Sequence, residues 1–358
     1  MTKDRLSKFI GLETLTIVDA MEKIDINAKG ILFITDEQGV LKGALSDGDI
    51  RRWILKAGNL NAQVRLAMNT PPKYLFNEER THAHAFMKKM LINVVPIVNR
   101  HLIISDIVFL SDNNDKVIED TKSELSGVPV VVMAGGKGTR LYPYTKILPK
   151  PLIPIGDTPI VERIINCYTE YGINKFYMTV NYKKNMIRSY FSDLNPSYAI
   201  DYVEEPKPLG TGGSIKLINE KFACPFFVTN CDALIMADYG DLYDYHIKSG
   251  NEITIVSALK NITVPYGVLH SGENGELISM EEKPKLSYFI NTGMYVINPD
   301  IIKLIPDDTM FHMTHLVDAV MKLGGKIGMY PVSEDSFLDM GEFSEMKRME
   351  EKLDIVSN

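Results

Sequence analysis

The sequence predicts an α/β chain in two parts, a larger one built on a mainly parallel sheet and a smaller α/β one ahead of it. Three observations predict this. After about residue 128, β-branched runs alternate with segments of helical period, the pattern of βαβ units. Before residue 110, a strand–turn–strand–helix unit of roughly 60 residues occurs twice. Between them, SDNNDKVIEDTKSELSG (Ser111 to Gly127) is polar, charged and poor in large apolar residues, which is linker composition. The expected domains are 1–120, a linker at 121–127, and 128–358. A length of 358 residues suits two domains.

In the smaller part, Thr16 to Ile26 is the first expected helix. ILFITDEQGVLKGALSDGDIRRWILKAG then gives a strand, a DEQG turn, a second strand and a helix opening at Ser46-Asp47-Gly48-Asp49. The second copy has a helix around Ala83 to Leu91, followed by NVVPIVNRHLIISDIVFL with the same strand, turn and strand. This pair resembles a tandem CBS module, small β-α-β units that pack in twos and often bind adenine nucleotides. The match lies in GALSDGDIRRW, where Gly43, Ser46 and Asp49 fit the family's G-x-x-[ST]-x-x-D ligand pattern. In LIISDIV, Asp106 aligns with the aspartate, but Ile103 stands where Ser or Thr is expected. The resemblance implies one adenine-nucleotide site at Ser46 and Asp49, a regulatory or assembly role, and a homo-oligomer. A packing module without a ligand is the competing reading.

In the larger part, Val128 to Met133 is a near-continuous β-branched run, as expected of a parallel strand covered on both faces. Thr158 to Tyr171 places Ile160, Val161, Ile164, Ile165, Tyr168 and Tyr171 on one side of a helix, with Gly172 as its stop. KFYMTV, PFFVTN and EITIVSAL read as further strands and KNMIRSYFSDL as a helix. Ligands of such sheets sit beyond the C-terminal strand ends, where the loop after Ala134 and the turn Asn230-Cys231-Asp232 both fall.

Composition narrows the function classes. A net charge of −7 argues against a nucleic-acid polymer as partner, because phosphate-backbone binding needs a basic face. Three cysteines without a CxxC pair give neither a disulfide frame nor a zinc ribbon. No apolar run of about 18 residues predicts a membrane span, and the N-terminus has no apolar core of signal-peptide length. The expected location is the cytoplasm.

VVMAGGKGTRLYPYTKILPKPLIPI (Val131 to Ile155) carries the chemistry. An apolar run opening into a glycine loop delivers backbone N–H groups to an anion, and Lys137, Arg140, Lys146 and Lys150 follow within a few residues. A Walker loop would need Ser or Thr after Lys137, where Gly138 stands, and a dinucleotide fingerprint would need glycine at Leu141. What remains is G-G-x-G-T-R-L followed by proline-framed lysine. The N–H groups of Gly135, Gly136, Gly138 and Thr139 can wrap phosphates. Arg140 suits the β- and γ-phosphates through its planar fork, and Lys150 offers a compact cation to the α-phosphate or the attacking group. Asp232 and Asp339 each follow a strand-like stretch, and two carboxylates meeting at a sheet edge would hold Mg²⁺; capping a helix or turn is the bland alternative.

The whole of Gly135 to Pro154 resembles the signature of sugar-1-phosphate nucleotidyltransferases, and five later blocks continue the resemblance to Glu345. These are Glu205 with Pro208-Leu209-Gly210-Thr211-Gly212-Gly213, Asn230-Cys231-Asp232, Glu282-Lys283-Pro284, Asn291-Thr292-Gly293 and Asp339-Met340-Gly341. Cys231 departs from the family's glycine. The resemblance implies a Rossmann-like sheet of the nucleotide-diphospho-sugar transferase type and a Mg²⁺-dependent reaction of NTP with hexose 1-phosphate. It implies nucleotide contacts at Ala134, Gly135, Gly136, Gly138, Thr139, Arg140, Gly210 and Thr211, and catalytic roles for Arg140, Lys150 and Asp232. It further implies sugar-phosphate contacts at Gly267, Glu282, Lys283 and Asn291, and a metal at Asp232 and Asp339. CBS modules ahead of this domain resemble the guanylyltransferases that make GDP-glucosamine for legionaminic-type acid synthesis. GTP with glucosamine 1-phosphate is therefore the first expected pair. Mannose 1-phosphate with GTP follows, then glucose 1-phosphate with UTP, CTP or dTTP. An adenine-nucleotide sensor without turnover is the alternative from another class. His312 and His315, three apart without an evident third ligand, are expected to have packing or surface roles, as are His82 and His84.

Overall fold

In the computed structural model, residues 6–27, 29–90, 92–109, 125–341 and 343–352 are described. The chain divides into two compact units, Met1–Thr121 and Lys122–Asn358. Most of the expected linker, residues 121–124, lies outside the described residues, but its end does not behave as a linker. Leu125 is buried and donates its N–H to the Tyr171 carbonyl at 2.8 Å, so the second unit's core begins there rather than at residue 128.

The first unit contains two three-stranded sheets with the same pairing. β1 (Ile10–Leu12) runs parallel to β2 (Ile31–Thr35), which is antiparallel to β3 (Leu41–Ser46). β4 (Leu75–Phe76) runs parallel to β5 (Val94–Val98), which is antiparallel to β6 (Ile104–Phe109). Helices α1 (Ile17–Asn27), α2 (Asp47–Ala57) and α3 (Ala83–Met90) accompany them. Phe33 and Leu41 of one sheet and Val98, Ile104 and Phe109 of the other share one core.

The second unit is a seven-stranded sheet of order β11-β10-β7-β12-β17-β14-β18. Its strands are β7 (Val130–Ala134), β10 (Lys175–Val180), β11 (Ala199–Glu204), β12 (Phe226–Asn230), β14 (Ile253–Thr263), β17 (Lys285–Ile297) and β18 (Ile327–Val332). Only β17 is reversed, being antiparallel to both neighbours, so the sheet is mixed and mainly parallel. Small ladders complete it: β8 (Pro154–Ile155) with β9 (Thr158–Pro159), β13 (Ala233–Ile235) with β19 (Phe337–Asp339), and β15 (Gly267–Ser271) with β16 (Leu277–Glu282).

Both sheet faces are covered, which is why β7 is buried at every position. On one face Val130, Val132 and Phe176 meet α4 (Ile160–Thr169), α5 (Lys184–Leu194) and α6 (Tyr239–Ser249) through Ile164, Tyr168, Phe191 and Leu242. On the other, Val131, Tyr177 and Tyr295 meet Met313, Leu316 and Val320 of α7 (Met313–Lys322). A last helix, α8 (Phe343–Lys352), follows β19. Among the described residues, no helix is long and apolar enough to cross a membrane.

Candidate active site

β7 and β12 are adjacent and parallel, with Asn230 opposite Met133, so the glycine loop and the Asn230-Cys231-Asp232 turn leave the sheet side by side. Ala134 is the buried last residue of β7. Gly138 adopts φ +63°, which a side chain would resist, and its carbonyl accepts from Thr145 Oγ1 at 2.8 Å. A Cβ on Gly138 would also come 3.0 Å from Lys150 Cβ, so the glycine lets the proline-framed lysine close over the loop. At Gly135 a Cβ would lie 2.2 Å from Glu205 Oε1, so the residue after β11 and the glycine loop need glycine to meet.

A cavity of about 490 Å³ opens over this loop. Gly135, Gly136, Gly138, Thr139, Arg140, Lys150, Asp232, Gly210 and Thr211 all line it, so the structure gathers the candidate nucleotide and catalytic residues, apart from buried Ala134. Lys137 is exposed and lies outside that lining, and Lys146 sits over the Tyr142 ring at 5.5 Å. The Gly210–Gly213 turn is held by the start of α7: Gly212 and Gly213 donate to the Phe311 carbonyl at 2.9 Å, and Met313 donates to Thr211 Oγ1 at 3.1 Å.

Asp232 and Asp339 do converge. In the β13–β19 ladder Ala233 stands opposite Asp339, and Met340 donates its N–H to the Asp232 carbonyl at 2.9 Å. Burial pushes the Asp339 carboxyl up; the neighbouring Asp232 adds to this, and Lys150 and Arg140 oppose it. Lys150 Nζ is ion-paired to Asp232 Oδ2 with both side chains largely buried. Cys231 points into the core, where burial and then Asp232 push its thiol up, so it packs as a neutral group.

A second cavity of about 270 Å³ lies against the first, with Arg140 lining both. Its other polar walls are Lys260, Glu334, Asp339 and Glu345. Lys260 is held by Glu334 Oε1 at 2.5 Å, and Glu334 also accepts from the Asn261 N–H at 3.2 Å.

The candidate sugar-phosphate residues are not gathered here. Gly267 and Glu282 face each other across β15–β16, exposed, and Lys283 follows at φ +48°. Asn291, on β17, donates to Tyr295 Oη at 2.8 Å and accepts from the Gly293 N–H at 2.9 Å. None of the four lines either cavity: Gly267, Glu282 and Lys283 belong to the separate β15–β16 ladder, and Asn291, on β17 of the main sheet, is turned to Tyr295.

Sequence reasoning missed several residues. Glu205, quoted only as part of a motif, lines the first cavity and accepts from the Leu209 N–H at 3.2 Å. Burial pushes its carboxyl up, while the Leu209 N–H and the hydroxyls of Thr179 and Ser214 beside it favour the ionised form. His312, expected to have a packing or surface role, lines the same cavity, and its Nδ1 accepts weakly from the Thr211 N–H at 3.4 Å. A glycine turn expected to touch a ligand was the available signal, since whatever seats that turn must lie at the same rim. Lys260 and Glu334, 74 residues apart, carried no signal of their own.

In the first unit, Ser46 and Asp49 engage each other. Ser46 caps α2 by accepting from the Asp49 N–H, while Asp49 Oδ2 accepts from the Ser46 hydroxyl at 2.6 Å and its N–H at 2.9 Å. Asp49 Oδ1 accepts from Arg52. Two cavities near β1 and α1 are lined by Leu12 and Thr14, among others, and by neither Ser46 nor Asp49. The aligned Asp106 pairs instead with Arg80 at 2.8 Å.

Mannose-1-phosphate guanyltransferase of Debaryomyces hansenii is 34% identical over 184 residues, covering 49% of this chain and 51% of that protein. UTP–glucose-1-phosphate uridylyltransferase of Synechocystis sp. is 33% identical over 195 residues, covering 49% and 50%. The chain thus spans about half the length of these curated relatives. The crystal structure of HddC from Yersinia pseudotuberculosis superposes with a TM-score of 0.50 at 27% identity, covering 63% of this chain and 99% of that one. The family model for nucleotidyl transferase matches residues 129–354, nearly all of the second unit, and the chain belongs to that family.

Proposed function

We propose that the chain joins an NTP to a sugar 1-phosphate, giving an NDP-sugar and pyrophosphate, with GTP and glucosamine 1-phosphate as the preferred pair. The observation that carries this is the placing of Arg140 on both cavities, with Asp232 and Asp339 linked between them by the β13–β19 ladder. In this reading the triphosphate occupies the first cavity and the sugar phosphate the second. A sugar-phosphate oxygen attacks the α-phosphorus, the α–β bridging bond breaks, and pyrophosphate leaves. The nucleophile is already ionised near neutral pH, so no general base is required, and positioning and charge do the catalysis.

Arg140 and the loop N–H groups hold the β- and γ-phosphates, and Lys150 leaves Asp232 to meet the α-phosphate or the attacking oxygen. Two carboxylates without a third protein ligand among the described residues suit Mg²⁺, which takes one or two carboxylates plus phosphate oxygens and water. Bound there, the ion would neutralise charge on the reacting phosphates.

Glu205 supports guanine: an acceptor-only carboxylate in the first cavity matches the N1–H and N2–H donors of that base, which adenine and the pyrimidine triphosphates do not present together. Glu334, Asp339 and Glu345 opposite Arg140 and Lys260 suit a sugar carrying both a phosphate and a protonated amine. Mannose 1-phosphate as acceptor is the second reading, favoured by what the Debaryomyces relative's name says it uses. For the first unit we propose a CBS-type module that assembles the protein and binds an adenine nucleotide.

The test is pyrophosphate release from five NTPs crossed with glucosamine, mannose and glucose 1-phosphates, with and without EDTA. Turnover strongest with GTP and glucosamine 1-phosphate, and lost in Asp232→Ala and Arg140→Ala, is expected. Nucleotide binding without turnover in any combination would leave a sensor instead.

A further inference from the structure

We propose that β15 is the edge through which two copies of this chain pair, as antiparallel strands centred on Leu269. This goes beyond the catalytic reading and does not depend on it. β18 accompanies β14 only from Ile253 to Ala258. Beyond that point β14 and β17 continue as a ribbon two strands wide. Bonds from the Val264 N–H to the Pro284 carbonyl (3.0 Å) and from the Lys283 N–H to the Tyr266 carbonyl (3.3 Å) join it to β15–β16, and it turns at Glu273–Gly275. From Leu259 to Ser271 the ribbon reaches about 40 Å at about 3.3 Å per residue.

Two strands by themselves are marginal in water. This ribbon also carries large apolar side chains in the open: Tyr266 is 74% exposed, Leu269 62%, Ile278 70% and Met280 66%. Leu269 and Met280 are directly opposite each other, so they form one apolar face. A monomer rarely leaves such a cluster bare.

The outer edge of β15 shows which surface is covered. Gly267-Val268-Leu269-His270-Ser271 has no acidic residue, lysine, arginine or proline, and β15 has no second neighbour among the described strands. Open edges normally carry such residues to block pairing. The strand's one irregularity, between His270 and Ser271, leaves Gly267 to His270 regular. Because the Tyr266 carbonyl faces the β16 side, alternation turns the N–H and C=O of Gly267 and Leu269 outward. The β16 edge, in contrast, carries Glu281 and Glu282, which would confront their own copies.

A second copy is the occupant because β15 complements itself. Antiparallel pairing about Leu269 sets Val268 opposite His270 of the other copy and opposes no like charges. The contact is then isologous, closes as a dimer, and merges two ribbons into one four-stranded sheet. The paired stretch, Gly267 to Ser271, puts five residues of each copy in register.

The experiment uses the full chain with Leu269→Cys. Self-pairing brings the two Cα atoms to about 5.5 Å, within the range a disulfide spans. Leu323→Cys, an exposed site elsewhere, is the control; the native Cys167, Cys224 and Cys231 lie off the ribbon. Mild oxidation should convert most of L269C to a covalent dimer while L323C stays at the wild-type level. Leu269→Lys should halve the native mass seen by light scattering, with a wild-type far-UV circular dichroism spectrum and a cooperative melt reporting that the chain is folded. His270→Glu, which charges the same edge, replaces it if L269K fails to fold. Cross-linking of L269C no greater than L323C, an unchanged mass for the charged variant, or a monomeric wild type would each overturn the proposal.

Discussion

Lys150 and Asp232, 82 residues apart, form an ion pair inside the first cavity, with Nζ on Oδ2. The pair spans the site between the proline frame and the turn after β12. It also means that the cation and the carboxylate, each proposed to act on the triphosphate, satisfy each other before substrate arrives.

That arrangement predicts an asymmetry in Asp232→Asn. Removing the carboxylate frees Lys150 for phosphate, so GTP affinity in EDTA should stay equal or tighten. Turnover with divalent metal should fall by about 10²–10³, the usual loss when one transition-state charge partner goes. Calorimetric GTP titration in EDTA beside pyrophosphate release separates the two. A parallel loss of metal-free affinity would show that Asp232 binds nucleotide directly.

Glu205 predicts a pH dependence. Its carboxyl is raised by burial above the ordinary 4.5. A carboxyl raised in the folded state favours folding fully below its unfolded pKa, and that contribution is lost as pH rises through the folded value. The ligand-free protein should therefore lose stability from pH 4.5 upward through that titration, and Glu205→Gln should flatten the loss. At pH 7 the variant should melt higher, by about 2–4 °C for each kcal/mol recovered in a domain of this size. Its preference for GTP over ATP should weaken as well. Identical melting profiles across pH for both proteins would remove Glu205 from this account.

Leu125 predicts where the second unit starts. Its side chain is buried beside Tyr171, so Leu125→Ala should cost about 2 kcal/mol or more in denaturant unfolding. A chain begun at Val128 should be destabilised by at least as much relative to one begun at Lys122. Equal midpoints for the two truncations would return Leu125 to the linker.

The same residue shows what the sequence could and could not disclose. Composition marked residues 111–127 as polar, yet a single leucine in such a stretch docks when a neighbouring core has room, and no local pattern announces that room. The βαβ alternation was legible because β7 is apolar on both faces and α4 keeps a helical period. The reversal of β17 was not, since strand direction is set by partners rather than by residue type. Within the site, glycines with constrained geometry and framed cations could be read locally. Lys260 and Glu334 meet only through the β14–β18 pairing, and the placing of Gly267, Glu282 and Lys283 away from both cavities follows from how far the ribbon projects.

Ser46 and Asp49 give the last prediction. Burial opposes ionisation of Asp49, but bonds from Ser46, Arg52 and Asn69 outweigh it and hold the carboxyl below its ordinary 3.8. A depressed carboxyl contributes stability that is complete above its unfolded pKa and is lost as pH falls through the folded value. The first unit should therefore weaken below pH 3.8, and Asp49→Asn should lack that acid-sensitive share. Ser46→Ala should cost about 1 kcal/mol at pH 7, because a helix loses its cap. Trp53, the single tryptophan, lies in α2, so its fluorescence reports unfolding of this unit directly. Melts by that signal, with and without AMP, separate the cap from a ligand role. A Ser46→Ala protein that melts like wild type without AMP and loses only the AMP-induced shift would show that these residues hold nucleotide rather than the helix.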